Sequence, residues 1–265
     1  MRMWLVSSLS VAAVATICAP AWAYDDAQRA EVKRLTAGTS ATDHEAAVKL
    51  LEAELVKTPD DFELQLETVT TMNGWISLRT NANLPLPEGL LDTDANKAIW
   101  ARDGKRALAI AEKLFKTNPK DGRVAVEYAV AYMYVSSSLG ILKAITSGAA
   151  SKFKENAQRV IDLNPDFDDA LGYFMYGSFY MVAPWPVSDD DKARDFLQAA
   201  MQSAPKSVRN HYGLGVFHYR EDEWPEAKRM FQAVLDLPCN SPRERFTCAF
   251  MKSEAKKALA RVASK

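Results

Sequence analysis

The chain has 265 residues, 48% of them apolar and 25% charged, and its 33 basic and 34 acidic side chains leave a net charge of −1. A chain of this length makes one elongated domain or two small ones. The near-neutral balance excludes the basic footprint of a nucleic-acid binder.

Residues 1–23 read as an export signal. Arg2 precedes an apolar run from Trp4 to Ile17, and Ala21-Trp22-Ala23 supplies the small residues of a cleavage point after Ala23. The run is shorter than the roughly 20 residues that span a bilayer, so a membrane anchor is not expected. Ile17 is too bulky for the position before a lipidated cysteine, and lipid attachment at Cys18 is not expected either. The mature chain is expected to begin at Tyr24 and to reside in the periplasm, which permits disulfides. There Cys239 and Cys248, nine residues apart, are expected to pair, with two buried free thiols as the alternative. No Cys-x-x-Cys motif is present, so the bridge reads as structural.

Residues 43–56 place Ala46, Ala47, Leu50, Leu51 and Leu55 on one helical stripe that stops at Pro59. A second helix is expected over 62–79. Two prolines and a glycine make residues 81–94 (NANLPLPEGLLDTD) a loop. The next stripe, over 96–115, carries Trp100, Ala107, Leu108, Ala111, Leu114 and Phe115 and ends at Pro119. Residues 122–147 are the most hydrophobic part of the mature chain. Glu127, Lys143 and the serine run 136–138 argue against a membrane span, so a long helix buried between neighbours on both sides is expected.

A short helix over 153–163 closes at Pro165, and an aromatic one follows over 168–182 (DDALGYFMYGSFYMV). Ala183-Pro184-Trp185-Pro186 must turn, because two prolines bracket Trp185. Ser188 is expected to cap the next helix with Asp191 three residues on. The acidic run there lacks the alternation and glycine of a calcium loop. Helices are expected over 208–219 and 226–236, the latter stopped by Pro238. Ser241 and Pro242 read as the cap and first residue of a last helix, whose polar end KKALARVASK suits a solenoid terminus. No stretch alternates apolar and polar residues between hairpin turns, so no sheet is expected.

Proline stops thus recur at Pro59, Pro119, Pro165, Pro205 and Pro238, and the last two are 33 residues apart. That is the period of a helix-pair repeat; the earlier intervals are stretched by insertions. Residues 222–238 (DEWPEAKRMFQAVLDLP) place Trp224, Ala227, Phe231, Val234 and Pro238 as in the second helix of a tetratricopeptide repeat, and Leu214-Gly215 match the large-then-small pair of the helix before it. Ala193, Leu197, Ala200 and Pro205 fit the same pattern, as do Ala107, Ala111, Leu114 and Pro119, and Ala47, Leu51 and Pro59. Phe153 and Glu54 depart from it, standing where small residues are usual. The chain therefore resembles tetratricopeptide-repeat proteins. The resemblance implies an all-α, right-handed α-solenoid of stacked antiparallel helix pairs, irregular over 24–167, regular over 168–238 and capped by 241–263. The apolar central helix, the GYFMYGSFYMV helix running into its proline turn, and the KARDFLQAAMQSAP segment are most similar to exported TatT-like proteins associated with TRAP-type transporters. A related resemblance is to tetratricopeptide proteins like the regulators of microtubule dynamics. The TatT-like resemblance implies docking of the transporter's solute-binding protein, or of its ligand.

In stacked helix pairs the first helix of each pair lines the concave side. On those helices tyrosines recur at helical spacing: Tyr128 and Tyr132; Tyr173, Tyr176 and Tyr180; Tyr212 and Tyr219. With Trp185 they are the candidate partner- or ligand-binding residues, about half of them expected to pack between helices. Arg209, and beside it Arg220 and Arg79, are candidates to grip a carboxylate. His211 and His218 share a helix face but have no third ligand in register, so no metal site is expected. Gly-x-Ser-x-Gly, His-Glu-x-x-His, a phosphate-cradling glycine loop and a reactive-cysteine signature are all absent from the sequence, and neither an enzyme nor a cofactor is expected.

The expectation is an exported, non-enzymatic binding protein for a protein partner such as a periplasmic solute-binding protein, or for an apolar or carboxylate small molecule. A general envelope-assembly scaffold, or an enzyme built from scattered residues, are the alternatives. A deep apolar cavity favours the first, a shallow open groove the second, and a buried cluster of facing carboxylates or histidines the third.

Overall fold

The computed structural model describes residues 24–263 and 265. The expected export signal, residues 1–23, lies outside the described residues. Among the described residues there are helices and no strand. In chain order they are α1 (Asp26–Thr36), α2 (Ala41–Lys57), α3 (Phe62–Thr80), α4 (Asp94–Ile99), α5 (Lys105–Thr117), α6 (Gly122–Ser137), α7 (Ile141–Thr146), α8 (Ala149–Leu163), α9 (Phe167–Val182), α10 (Asp190–Ser203), α11 (Val208–Arg220), α12 (Trp224–Asp236) and α13 (Cys248–Val262). From α2 onward the long helices pack each on the next, which makes an all-α solenoid of helix pairs.

The inter-pair turn is built the same way three times. A proline ends one helix, and two residues later a short polar side chain caps the next. Asp61 accepts from Leu64 N–H after Pro59, Asp121 from Arg123 and Val124 N–H after Pro119, and Ser207 from Asn210 N–H after Pro205. Such caps satisfy donors that the first turn leaves unpaired. The second helices bury narrow stripes, as in α10 (Ala193, Leu197, Ala200) and α12 (Ala227, Met230, Phe231, Val234). At Gly215 an added Cβ would stand 2.8 Å from Phe231 Cε1, and at Gly177 3.0 Å from the Leu197 backbone nitrogen. These two glycines let paired helices approach more closely than any side chain permits.

The structure differs from the sequence expectations in several places. Helix α1 was not foreseen: it is polar, with only Val32 and Leu35 buried. The expected 96–115 helix is continuous over 94–117 but passes through a π-helical turn at Trp100–Gly104, where Trp100 is buried and its Nε1 donates to Thr80 Oγ1 at 3.0 Å. The apolar stretch 122–147 is two helices, because Ser136 and Ser138 hydrogen-bond back to Met133 and Val135 and Gly140 adopts φ +74°. No described helix is long and apolar enough to cross a membrane. Asp189, not Ser188, caps α10, accepting from Lys192 N–H at 3.0 Å. Pro225 sits in the first turn of α12, so that helix starts at Trp224, earlier than expected.

Ser241 and Pro242 do not start the last helix. That helix begins at Cys248, which is disulfide-bonded to Cys239 with Cα atoms 6.1 Å apart. Residues 241–247 stay out of it because their side chains have partners elsewhere: Arg243 reaches Glu127, Glu244 meets the start of α11, and Arg245 donates to the carbonyls of Thr36 and Ala37 at the end of α1.

Candidate ligand-binding site

The stretch inserted after α3 crosses the inner side of the solenoid as a strap. Asn81, Ala82 and Asn83 all have φ between 52° and 54°, a left-handed turn that L-residues enter at a cost. Asn83 Nδ2 donates to Ser137 Oγ at 2.9 Å, tying that turn to the end of α6. The strap then docks on α11. Tyr212 donates to the Pro85 carbonyl at 3.0 Å and Tyr219 to Glu88 at 2.8 Å, and Arg220 donates to the carbonyls of Leu86 and Gly89, each at 3.0 Å. Arg261 on α13 pairs with Glu88 at 3.2 Å. Pro85 and Pro87 carry no N–H, so the strap has few donors left to satisfy.

Beneath the strap lies a cavity of about 170 Å³. Leu84, Pro85 and Leu90 of the strap line it together with Tyr134 of α6, Phe174 and Met175 of α9, and further apolar side chains from α7 and α8. This is close in size to a protein cavity of about 150 Å³ that takes benzene. Tyr134 is fully buried and shares a 2.7 Å hydrogen bond with Ser77 Oγ; burial pushes its phenol up to about 12.

One end of the cavity is ionic. Arg243 reaches Glu127 Oε1 and Asp168 Oδ2, both at 2.6 Å, and Glu127 also accepts from Asn73 Nδ2 at 2.7 Å. Burial opposes the charge on Arg243, but the Glu127 and Asp168 carboxylates outweigh it and hold the guanidinium above its ordinary value. Arg209 Nη2 donates to the carbonyls of Asp168 at 2.5 Å and Asp169 at 3.0 Å, and Asn210 Nδ2 to Asp169 at 3.0 Å. These donors hold a second left-handed turn, Asp168 to Ala170, in the first turn of α9. The Glu244 carboxylate accepts from Ser207 Oγ and from Val208 N–H, so a negative charge sits at the N-terminus of α11. Arg243 lines both this cavity and a wider cleft of about 800 Å³, whose walls include Arg29, Glu67 and Arg123.

Of the nine side chains singled out in the sequence as a binding surface, Arg209 alone lines the cavity. Tyr128 stacks on Phe115 at 4.8 Å and stands 6.3 Å from Tyr132. Tyr173, Tyr176 and Tyr180 gather around Phe196 of α10, at centroid distances of 6.4, 4.4 and 6.3 Å. Tyr212 and Tyr219 hold the strap. Trp185 is 87% exposed in its turn. The inner wall of α9 is the neighbouring stripe, Leu171, Phe174, Met175 and Ser178. Arg79 pairs with Asp103 at 2.7 Å and Arg220 with strap carbonyls, and neither lines the cavity.

The ionic cluster was not foreseen, although Glu127 stands out in the sequence as a charge within the apolar stretch. A carboxylate there needs a buried partner, and that partner is Arg243, 116 residues away. The two histidines do not meet. His211 Nδ1 lies 2.9 Å from the Ser207 carbonyl, and His218 Nδ1 lies 2.5 Å from Glu223. Among the described residues no group of three His, Cys, Asp or Glu is placed to hold a metal ion.

No protein-family model and no curated protein sequence matches the chain. Among solved structures it is similar to TTC0263, a thermophilic tetratricopeptide-repeat protein from Thermus thermophilus. The TM-score is 0.61 at 14% sequence identity, over 88% of this chain and 99% of that one. The likeness is one of fold, and it identifies the solenoid as tetratricopeptide-like.

Proposed function

We propose that this protein is an exported, non-enzymatic binding protein of the TatT-like kind. It holds a small, largely apolar molecule under the strap and presents its outer face to a protein partner, such as the solute-binding protein of a periplasmic uptake system. The observation that carries this reading is the strap itself. An open solenoid offers a groove to an extended peptide, whereas here residues 84–92 cross the inner side and partly cover an apolar cavity of about 170 Å³. Trp185 and Leu142, 87% and 69% exposed, supply the apolar surface for the partner.

The test is extraction of the protein, purified from the periplasm under native conditions, with analysis of the released small molecules by mass spectrometry. A copurifying apolar compound is expected, and Met175→Trp, which fills the cavity, is expected to lose it. Equal recovery from both proteins would remove the cavity from the function, and retention of the chain in the cytoplasm would remove the export.

A further inference from the structure

The polar groups lining the cavity restrict what it takes. Ser77 and Tyr134 bond each other, Asn83 bonds Ser137, Ser136 bonds the Met133 carbonyl, and Asp92 faces Lys97 at 3.4 Å. Thr247 bonds the Glu244 carbonyl, and Glu244 itself is held at α11. Arg243 lies between Glu127 and Asp168. Arg243 Nε makes no well-aligned hydrogen bond but is ion-paired with Asp168, whereas Arg209 Nε and Ser178 Oγ are buried lining groups with neither kind of partner. Arg209 is only 5% exposed, and its guanidinium lies over the Phe174 ring at 5.4 Å. Ser178 stands one helical turn beyond Phe174, about 6 Å along α9. A buried donor left unpaired carries a desolvation penalty that a bound acceptor would relieve.

The same groups exclude a carboxylate. A guanidinium grips a carboxylate with two parallel N–H groups. Arg209 has already committed Nη2 to two backbone carbonyls, and both parallel pairs of the guanidinium, Nε with Nη2 and Nη1 with Nη2, need an Nη2 hydrogen, so neither pair is open. At this end of the cavity the two guanidiniums of Arg209 and Arg243 meet three carboxylates, Glu127, Asp168 and Glu244. A further buried anion would find no cation to offset its desolvation.

We propose, resting on the ligand-binding reading above, that the cavity selects an uncharged, largely apolar molecule with a single acceptor oxygen, such as a ketone or aldehyde. That oxygen accepts from Arg209 Nε, and Ser178 Oγ offers a second polar contact one turn along. The matching carboxylate is rejected.

Acetophenone, toluene and benzoate share a ring that suits the cavity and differ only in the head group. Titration of each into the purified, exhaustively dialysed protein, followed by calorimetry, should show acetophenone binding about tenfold or more tighter than benzoate. It should also bind about fivefold tighter than toluene. In Ser178→Ala and in Arg209→Lys, which keeps the charge but loses the Nε donor and the Nη2 bonds to the start of α9, the ratio of acetophenone to toluene affinity should fall toward one. If either variant fails to fold, the wild-type comparison decides alone. Benzoate binding as tightly as acetophenone, or acetophenone no tighter than toluene, would overturn the head-group assignment and leave the cavity reading intact. Absence of binding by all three would overturn both.

Discussion

Tyr212 on α11 and Pro85 in the strap are 127 residues apart in sequence and joined by a 3.0 Å hydrogen bond from phenol to carbonyl. Tyr212 is fully buried, and desolvation raises its phenol well above the ordinary tyrosine value, so the donor stays protonated at any physiological pH. With Tyr219 and Arg220 it makes one face of α11 a dock for the strap.

Removing that dock should open the cavity without dismantling the solenoid. Tyr212→Phe is expected to cost about 0.5–1.5 kcal/mol, read from urea unfolding. Arg220→Ala, which frees the Leu86 and Gly89 carbonyls, should make the strap the first site of proteolytic cleavage while helicity by circular dichroism stays unchanged. A strap that resists cleavage in this variant would mean that its apolar contacts suffice to hold it.

The Arg243 cluster should be far less tolerant. Arg243→Met leaves Glu127 and Asp168 buried without their cation, and a loss of about 3–5 kcal/mol is expected. Adding Glu127→Gln and Asp168→Asn to that variant should recover a large part of it. Failure of the triple variant to regain stability would show that the segment 241–247 is held by something other than charge pairing.

Glu223 makes stability depend on acid. Hydrogen bonds from Arg194 and then from His218 hold its carboxyl at about 2, below the ordinary 4.5. Because the folded value is depressed, the stabilisation is present in full above pH 4.5 and disappears as pH falls through about 2. The side chain is about a third exposed, so the effect is modest. Urea midpoints measured between pH 6 and pH 2 should fall less steeply in Arg194→Ala than in the natural protein, and parallel curves would count against this pairing.

The disulfide closes a short loop between the end of α12 and the start of α13. Loop-closure entropy for such a span predicts a loss of about 2–3 kcal/mol on reduction or in a Cys239→Ala/Cys248→Ala double variant. A thermal scan with and without reductant checks it. An unshifted transition would place the whole constraint in residues 241–247 and their ion pairs.

The repeat architecture was legible because its signals are local. Pro59, Pro119 and Pro205 stop helices, polar residues two positions later restart them, and the alanine and leucine stripes of α5 and α10 leave no doubt which side is buried. The binding wall was not legible, for a physical reason. Helices α6 and α9 are apolar nearly all round, so the spacing of Tyr173, Tyr176 and Tyr180 identifies a stripe but not whether it faces Phe196 or the cavity. The ionic cluster depends on residues brought together from α6, α9 and the 241–247 segment, and only Glu127, a charge amid apolar neighbours, hinted at it. Helix α1 was missed because its two buried positions, Val32 and Leu35, make too short a stripe to stand out.

A simple stack of helix pairs has nearest-neighbour energetics, and its ends can fray while the middle stays folded. The strap changes this, because it leaves the solenoid after α3 and fastens to α11 through contacts 127 to 134 residues apart in sequence, and to α13 through the Arg261–Glu88 pair. Arg245 adds a clasp from residue 245 back to the end of α1, 208 and 209 residues away. The two termini of the array are thereby linked, so neither end can peel away without releasing the other. The molecule is expected to melt in one concerted transition, and to fold more slowly than an open array of the same helices, since the clasps close only after both halves have formed.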